Sequence, residues 1–232
     1  MLYDKFMRAK ADYDDVFEAG KKAEWNAFWD SLQQNGNLTT YNSSFSGWGW
    51  NNVNFRPKYD MRPTSAERMF TNFNYGGGVT FDLAERCEEL GIILDFSNNT
   101  NFYYTFAWAN VSRIGVVDAS KGTNMGAMFY GSSNLTTIDK FIASKNTVLN
   151  DTTFTSCSAL ANVEFEGEIA TDINVGYSPL SKSSITSLVN ALSSSASGKT
   201  AKIKKTAKEA VFTTAEWQTL AGTKTNWTIN LV

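Results

Sequence analysis

The sequence predicts an α+β fold in which a short solenoid, residues 59–177, carries a helical N-terminal arm, residues 1–36, and an α/β C-terminal cap, residues 178–232. Three observations lead there. Apolar residues recur at helical spacing near the start, a set of landmarks recurs every 23 to 25 residues in the middle, and helix and strand patterns alternate at the end. With 42% hydrophobic residues among 232, the chain can fill a core.

In the arm, Trp25, Phe28, Trp29 and Leu32 fall at i, i+3, i+4 and i+7, one face of a 3.6-residue period, and Asn35-Gly36 stops the helix. An earlier piece ends near Gly20 and spaces Leu2, Phe6, Ala9, Tyr13 and Val16 by threes and fours, which suits either docking on its own domain or a short coiled-coil seam. Aromatic residues lie on more than one face of the arm. Phe6, Tyr13, Phe17, Trp25 and Trp29 are therefore candidate interaction residues, for a second copy or a neighbouring protein. Residues 37–58 are irregular and aromatic, with Tyr41, Phe45, Trp48, Trp50 and Phe55, and are expected to cap the open end of the repeats. Trp48 and Trp50 also suit stacking on a sugar ring.

The solenoid rests on repeated landmarks. Asp95 to Phe106 and Asp118 to Phe129 share D-x-S-x-x-T-N-x-x-x-x-F, and Asp60 to Phe70 echoes it one residue shorter. Phe129 to Leu135 and Phe154 to Leu160 share F-x-x-[SC]-S-x-L. A strand pattern follows each: Val111, Ile114 and Val116; Leu135, Ile138 and Lys140; Leu160, Val163 and Phe165, with first members 24 and 25 residues apart, the period of leucine-rich repeats. These apolar positions are expected to point inward, with Phe106, Phe129 and Phe154 as a second inner row. Lys140 breaks the pattern. Phe81 to Leu90 reads as a helical insertion before a strand at Gly91 to Leu94.

In the C-terminal cap, Pro179 and Ser181 open a helix with Ile185, Leu188, Val189 and Leu192 on one face. Ala201 and Ile203 alternate with lysines, Thr213-x-x-Glu216 forms a capping box, and Trp227, Ile229 and Leu231 alternate with polar residues. Lys199, Lys202, Lys204 and Lys205 read as charges guarding an edge strand, in preference to a polyanion site.

The landmarks resemble BspA-like leucine-rich repeats, the variant with a phenylalanine and a Cys/Ser-Ser-x-Leu segment ahead of the strand. Within that group the chain is similar to short proteins encoded by phages and prophages of gut bacteria. The likeness is carried by Glu18 to Asp30, Gly47-Trp48-Gly49-Trp50, Lys58-Tyr59-Asp60, the repeats and Ser178-Pro179-Leu180. It implies an adhesin, a surface protein or a virion component. The first twenty residues lack the apolar stretch and cleavage site of a secretory signal, which favours a virion protein made in the bacterial cytoplasm over a bacterial cell-surface adhesin.

Chemistry narrows the function further. The chain has no histidine, which removes Ser-His-Asp and Cys-His sites, the usual zinc sites and the commonest neutral-pH base. Cys87 and Cys157 are too few for a disulfide framework and read as buried thiols. Gly76-Gly77-Gly78 lacks the Lys-Ser/Thr of a phosphate loop. Glu164, Glu166 and Glu168 alternate along one strand face; they suit a solvated face, contact with a cation or receptor, or, most remotely, glycoside hydrolysis. A net charge of -2 argues against nucleic acid, and no segment is long and apolar enough for membrane insertion.

The expectation is a non-enzymatic phage structural or binding protein, a tail-fibre, baseplate or capsid-surface component, without catalytic, cofactor or metal sites. It would meet other virion proteins or itself, as a trimer, through the arm, and a host protein or glycan through the repeats. The alternatives are a bacterial surface interaction module and, remotely, a carbohydrate-active enzyme.

Overall fold

The computed structural model describes residues 27, 39–47, 50, 55–75 and 79–232. The helical pieces expected in the arm, Trp48 and the Gly76–Gly78 turn lie outside the described residues. Strand β1 (Phe81–Asp82) leads directly into helix α1 (Leu83–Leu90), and strands β2 (Val111–Asp118), β3 (Thr137–Ala143) and β4 (Asn162–Gly167) follow. These four strands form one sheet in chain order, each parallel to the next. After it come β5 (Ile173–Val175), α2 (Lys182–Ala191), β6 (Lys199–Ile203), α3 (Lys205–Val211), α4 (Thr214–Gly222) and β7 (Trp227–Leu231), with β5, β6 and β7 in a second parallel sheet.

This topology corrects the expected α+β solenoid. Both sheets are wholly parallel and accompanied by few helices, an α/β-like arrangement. A spacing of 24 or 25 residues measures a strand plus its return. Every sequentially ordered parallel sheet needs such a crossover, so the period alone does not specify a solenoid.

Local chemistry explains the repeated landmarks. The Asp of D-x-S closes a tight turn: Asp95 and Asp118 each accept from the backbone N–H two residues on, at 2.9 Å. Each Thr donates to the carbonyl of the equivalent Thr one unit back, Thr123 to Thr100, Thr100 to Thr64 and Thr64 to Thr39. The Asn repeats the turn chemistry, Asn101 accepting from Tyr103 N–H and Asn124 from Gly126 N–H. The Phe stacks. Phe70, Phe106, Phe129 and Phe154 form a fully buried column with centroids 5.1, 5.6 and 5.2 Å apart and planes within 19° of parallel. In F-x-x-[SC], Ser132 Oγ and Cys157 Sγ donate to the carbonyls of Phe106 and Phe129, the phenylalanine one unit back.

Val111, Ile114, Leu135, Ile138, Leu160, Val163 and Phe165 are buried as expected, but Val116 is 50% exposed. The inward residues are Val117 and Phe141, in register with Phe165. In β2 and β3 two residues, not one, separate the inward positions, and the register shifts between Ile138 and Phe141. That irregularity moves Val116 and Lys140 to the outer face.

α1 is capped at both ends, by the Asp82 carboxylate on Glu85 N–H and by Gly91 in the left-handed conformation, φ 64°. Gly91 to Leu94 is not a strand; Leu94 makes one isolated bridge to Met61. The expected C-terminal elements appear, including the Thr213–Glu216 capping box, together with two that periodicity does not mark, β5 and α3. β6 is the central strand between β5 and β7, not an edge, and Lys202 pairs with Asp151 at 3.1 Å. One hydrophobic cluster runs from Tyr41 to Trp227.

Candidate functional site

The outer face of the four-stranded sheet forms the floor of a trough. β4 is its last strand, so half of its backbone groups lack a strand partner, and α2 supplies serines in their place. Ser184 Oγ accepts from Val163 N–H at 2.8 Å and Ser187 Oγ from Phe165 N–H at 3.1 Å; the same hydroxyls reach the carbonyls of Ala161 and Val163. The i, i+3 spacing puts both hydroxyls on one helix face, which covers the sheet edge. At the other side α1 packs against β2, with Ala84 3.8 Å from where a Cβ on Gly115 would stand.

Two cavities occupy the trough. One of about 260 Å³ lies against α1 and is lined by Glu88, Ile93, Gly115, Val116 and Asp139 among others. The second, about 470 Å³, lies against α2 and is lined by Thr137, Asp139, Asn162, Glu164, Ser183 and Ser187 among others. Asp139 lines both, so they meet at the middle of the floor.

The floor charges are paired. Arg113 makes a two-pronged contact with Asp139, at 2.8 and 2.7 Å, and lies 3.6 Å from Glu88. Lys140 stands between Glu166, at 2.5 Å, and Glu164, at 3.9 Å. The hydrogen bond to Asp139 raises the Arg113 pKa, and the Glu166 carboxylate, with Glu164, raises that of Lys140. Val116 and Ile93, 50% and 54% exposed, add apolar surface beside these charges.

Of the residues singled out in the sequence, Glu164 and Glu166 share the trough face, engaged with one ammonium. Glu168 does not join them. Gly167, at φ 84° and with the Ala143 carbonyl oxygen only 2.0 Å from where its Cβ would be, turns the chain, and Glu168 accepts from Ser193 and Ser195 instead. Those hydroxyls lower its pKa. Trp50 is 2% exposed, stacked on Phe73 at 6.2 Å and 8°, so its ring closes the core and offers no face to a sugar. Phe6, Tyr13, Phe17, Trp25, Trp29 and Trp48 lie outside the described residues. Arg113, Asp139, Ser184 and Ser187 carry no periodic signal of their own; the Ser-x-x-Ser spacing at the start of α2 is what could have marked the last two.

Chemically the trough can bind. Burial pushes both thiols, Cys87 and Cys157, up to about 12, so neither is a nucleophile at neutral pH. Among the described residues no group of three or more acidic or cysteine side chains converges as a metal site. Compared with protein-family models, curated proteins and solved structures, the chain gives no match in any of the three.

Proposed function

We propose that the chain is a non-enzymatic structural or binding protein of a phage particle, a tail-fibre, baseplate or capsid-surface component, which contacts a protein or glycan through its outer face. The observation that carries the binding part is the trough itself: a polar floor between two helices whose Arg113–Asp139 and Lys140–Glu166 pairs are already satisfied. Satisfied pairs of this kind orient and select a partner more than they react with it. The particle assignment draws on the resemblance of the landmarks to short phage-encoded BspA-like proteins. The arm attaches the molecule to neighbouring virion proteins or to its own copies, with a trimer as the stoichiometry, since closed cyclic assemblies are the common form of repeated subunits.

The test is the solution mass of the intact chain against a version lacking residues 1–20, together with mass spectrometry of particles from a host carrying the gene. A trimer that falls to a monomer on truncation, and a copy of the chain in purified particles, support the proposal. Monomers in both versions remove self-assembly through the arm, and particles without the chain remove the virion assignment.

A further inference from the structure

Across the core from the sheet, the segments around Phe70, Phe106, Phe129 and Phe154 form a second face, because Phe141 of β3 packs on Phe129 and Phe154 from the other side. Each segment is laced to the next by backbone bonds: Tyr104, Phe106 and Trp108 N–H donate to the carbonyls of Gly126, Met128 and Tyr130. Around Phe70, Phe106 and Phe129 the backbone is left-handed two residues before and two residues after the ring, whereas around Phe154 only the later position, Ser156 at φ 62°, is so. Around Phe70 those positions are Arg68 (φ 54°) and Asn72 (φ 54°); around Phe129 they are Ala127 (φ 51°) and Gly131 (φ 71°).

Around Phe106 they are Tyr104 (φ 56°) and Trp108 (φ 53°). Large aromatic residues are poor choices for that conformation, which Gly and Asn adopt with least strain. Around Phe70 and Phe129 the same conformation is held without an aromatic side chain at either position. The rings do not fill the core either, being half-buried. Strain held at a site that packing does not demand points to function.

The rings also lie together. Tyr103 and Tyr104 meet at 4.5 Å, Tyr104 and Trp108 at 5.6 Å, and Trp108 and Tyr130 at 5.3 Å. Glycines make room for them: a Cβ on Gly131 would come within 2.6 Å of the Trp108 ring, and one on Gly126 within 3.0 Å of Tyr103. The Arg68 guanidinium lies 5.7 and 5.4 Å from the Tyr103 and Tyr104 centroids and has no carboxylate partner among the described residues. Nor do the Tyr103, Tyr104 and Tyr130 hydroxyls or the Trp108 indole N–H find a hydrogen-bond partner among them, and all four residues are partly exposed. The result is a strip of aromatic rings with open polar tips and one unpaired cation at its end.

We propose that this strip is a binding site for an acidic polysaccharide, in which the C–H faces of pyranose rings stack on Tyr104 and Trp108 and Arg68 pairs with a sugar carboxylate. Rings offer stacking surface, the hydroxyls and indole N–H match sugar hydroxyls, and the guanidinium takes a carboxylate in its fork. The inference rests on the reading of the chain as a binding protein and names a ligand class on a face separate from the trough. The mass and particle measurements above are indifferent to it, so either can fail alone.

The experiment is calorimetric titration, with tryptophan fluorescence, of the full chain using oligosaccharides of alternating glucuronic acid and N-acetylglucosamine, against neutral chito-oligosaccharides of equal length. Expected are binding of the acidic series, at least about tenfold weaker binding of the neutral one, and weakening of the acidic series as salt rises. Trp108→Asn, which places there the residue found at position 72, abolishes binding while the circular dichroism spectrum stays intact; Trp108→Phe retains it. Arg68→Gln, at an exposed position, reduces the acidic series to the affinity of the neutral one. Silence toward both series, equal affinity for the two, or unchanged binding in Arg68→Gln overturns the proposal.

Discussion

The two faces of the same core treat their side chains differently. On the sheet side, Arg113, Asp139, Lys140, Glu164 and Glu166 meet opposite charges, and the β4 edge is covered by Ser184 and Ser187. On the opposite side, Tyr104 and Trp108 hold a strained backbone, and Arg68 lies over aromatic rings with no carboxylate partner among the described residues. Both faces grow from one stack of buried rings, so the contrast does not come from different scaffolds. A satisfied face is stable and selective by shape; a face with open donors and an unpaired cation keeps interaction energy for a ligand.

Removing what the two faces share should have the largest effect. Phe129 is fully buried, stacked on Phe106 and Phe154 and in contact with Phe141. Phe129→Ala is expected to destabilise by roughly 3–5 kcal/mol, read by denaturant unfolding, and to weaken both faces together. A change well under 1 kcal/mol would mean that the column does not hold the two sides.

Second in size is the sheet edge. Ser184 is 2% exposed, and its hydroxyl is the partner of Val163 N–H. Ser184→Ala leaves that buried donor unpaired and is expected to cost about 1–3 kcal/mol, with faster amide exchange at Val163. Ser187→Ala, whose hydroxyl is only part-buried, is expected to cost less. Equal and negligible losses would show that water replaces both hydroxyls and that α2 does not close the edge.

The same comparison shows what could be read in the sequence. The Asp, Thr, Asn and Phe landmarks each perform a local task within two residues or one repeat unit, so their recurrence located the turns, the ladder and the ring column. Strict alternation places Val116 inward, but it points outward because two residues separate the inward positions of β2. Lys140, which breaks the apolar pattern in the sequence, lies on the same outer face in register with it. The solenoid expectation failed for a related reason, since spacing counts residues and not what the return segments do. Trp50 looked like a sugar contact because aromatic composition says nothing about exposure. Tyr104 and Trp108 carry no sequence signal, because those positions vary between units and only the backbone angle makes that variation informative.

A smaller effect separates paired from unpaired cations. Arg113 and Asp139 are about one-third exposed, at 35% and 32%, so solvent screens a contact that is otherwise well aligned. A double-mutant cycle of Arg113→Gln and Asp139→Asn is expected to give a coupling of about 0.2–1 kcal/mol that shrinks as salt is raised. Arg68→Gln is expected to stay within about 0.5 kcal/mol of the parent. If Arg68 proved the more costly of the two, its place over the tyrosines would be structural.

The smallest effect lies in the capping box of α4, a helix with no fully buried residue. The Glu216 carboxylate accepts from the Lys182 ammonium at 2.7 Å and from Thr213 N–H and Oγ1 at 2.9 Å each, and these bonds, the Lys182 contact first, hold it down at about 2 against an ordinary 4.5. A carboxyl whose folded value is depressed contributes stability that is complete above its unfolded value and disappears as pH falls through its folded value. The contribution of Glu216 should therefore be whole above pH 4.5 and fade toward pH 2. Glu216→Gln keeps an acceptor for Thr213 N–H but not the charge facing Lys182. The expected result is a melting temperature slightly below the parent at neutral pH, with the two curves converging as pH drops toward 2. Because the carboxylate is in water, high salt should narrow the gap at neutral pH as well. Curves that stay parallel through that acid range would assign the cap's contribution to its geometry alone, and the ion pair with Lys182 would then belong with those surface contacts that add nothing measurable.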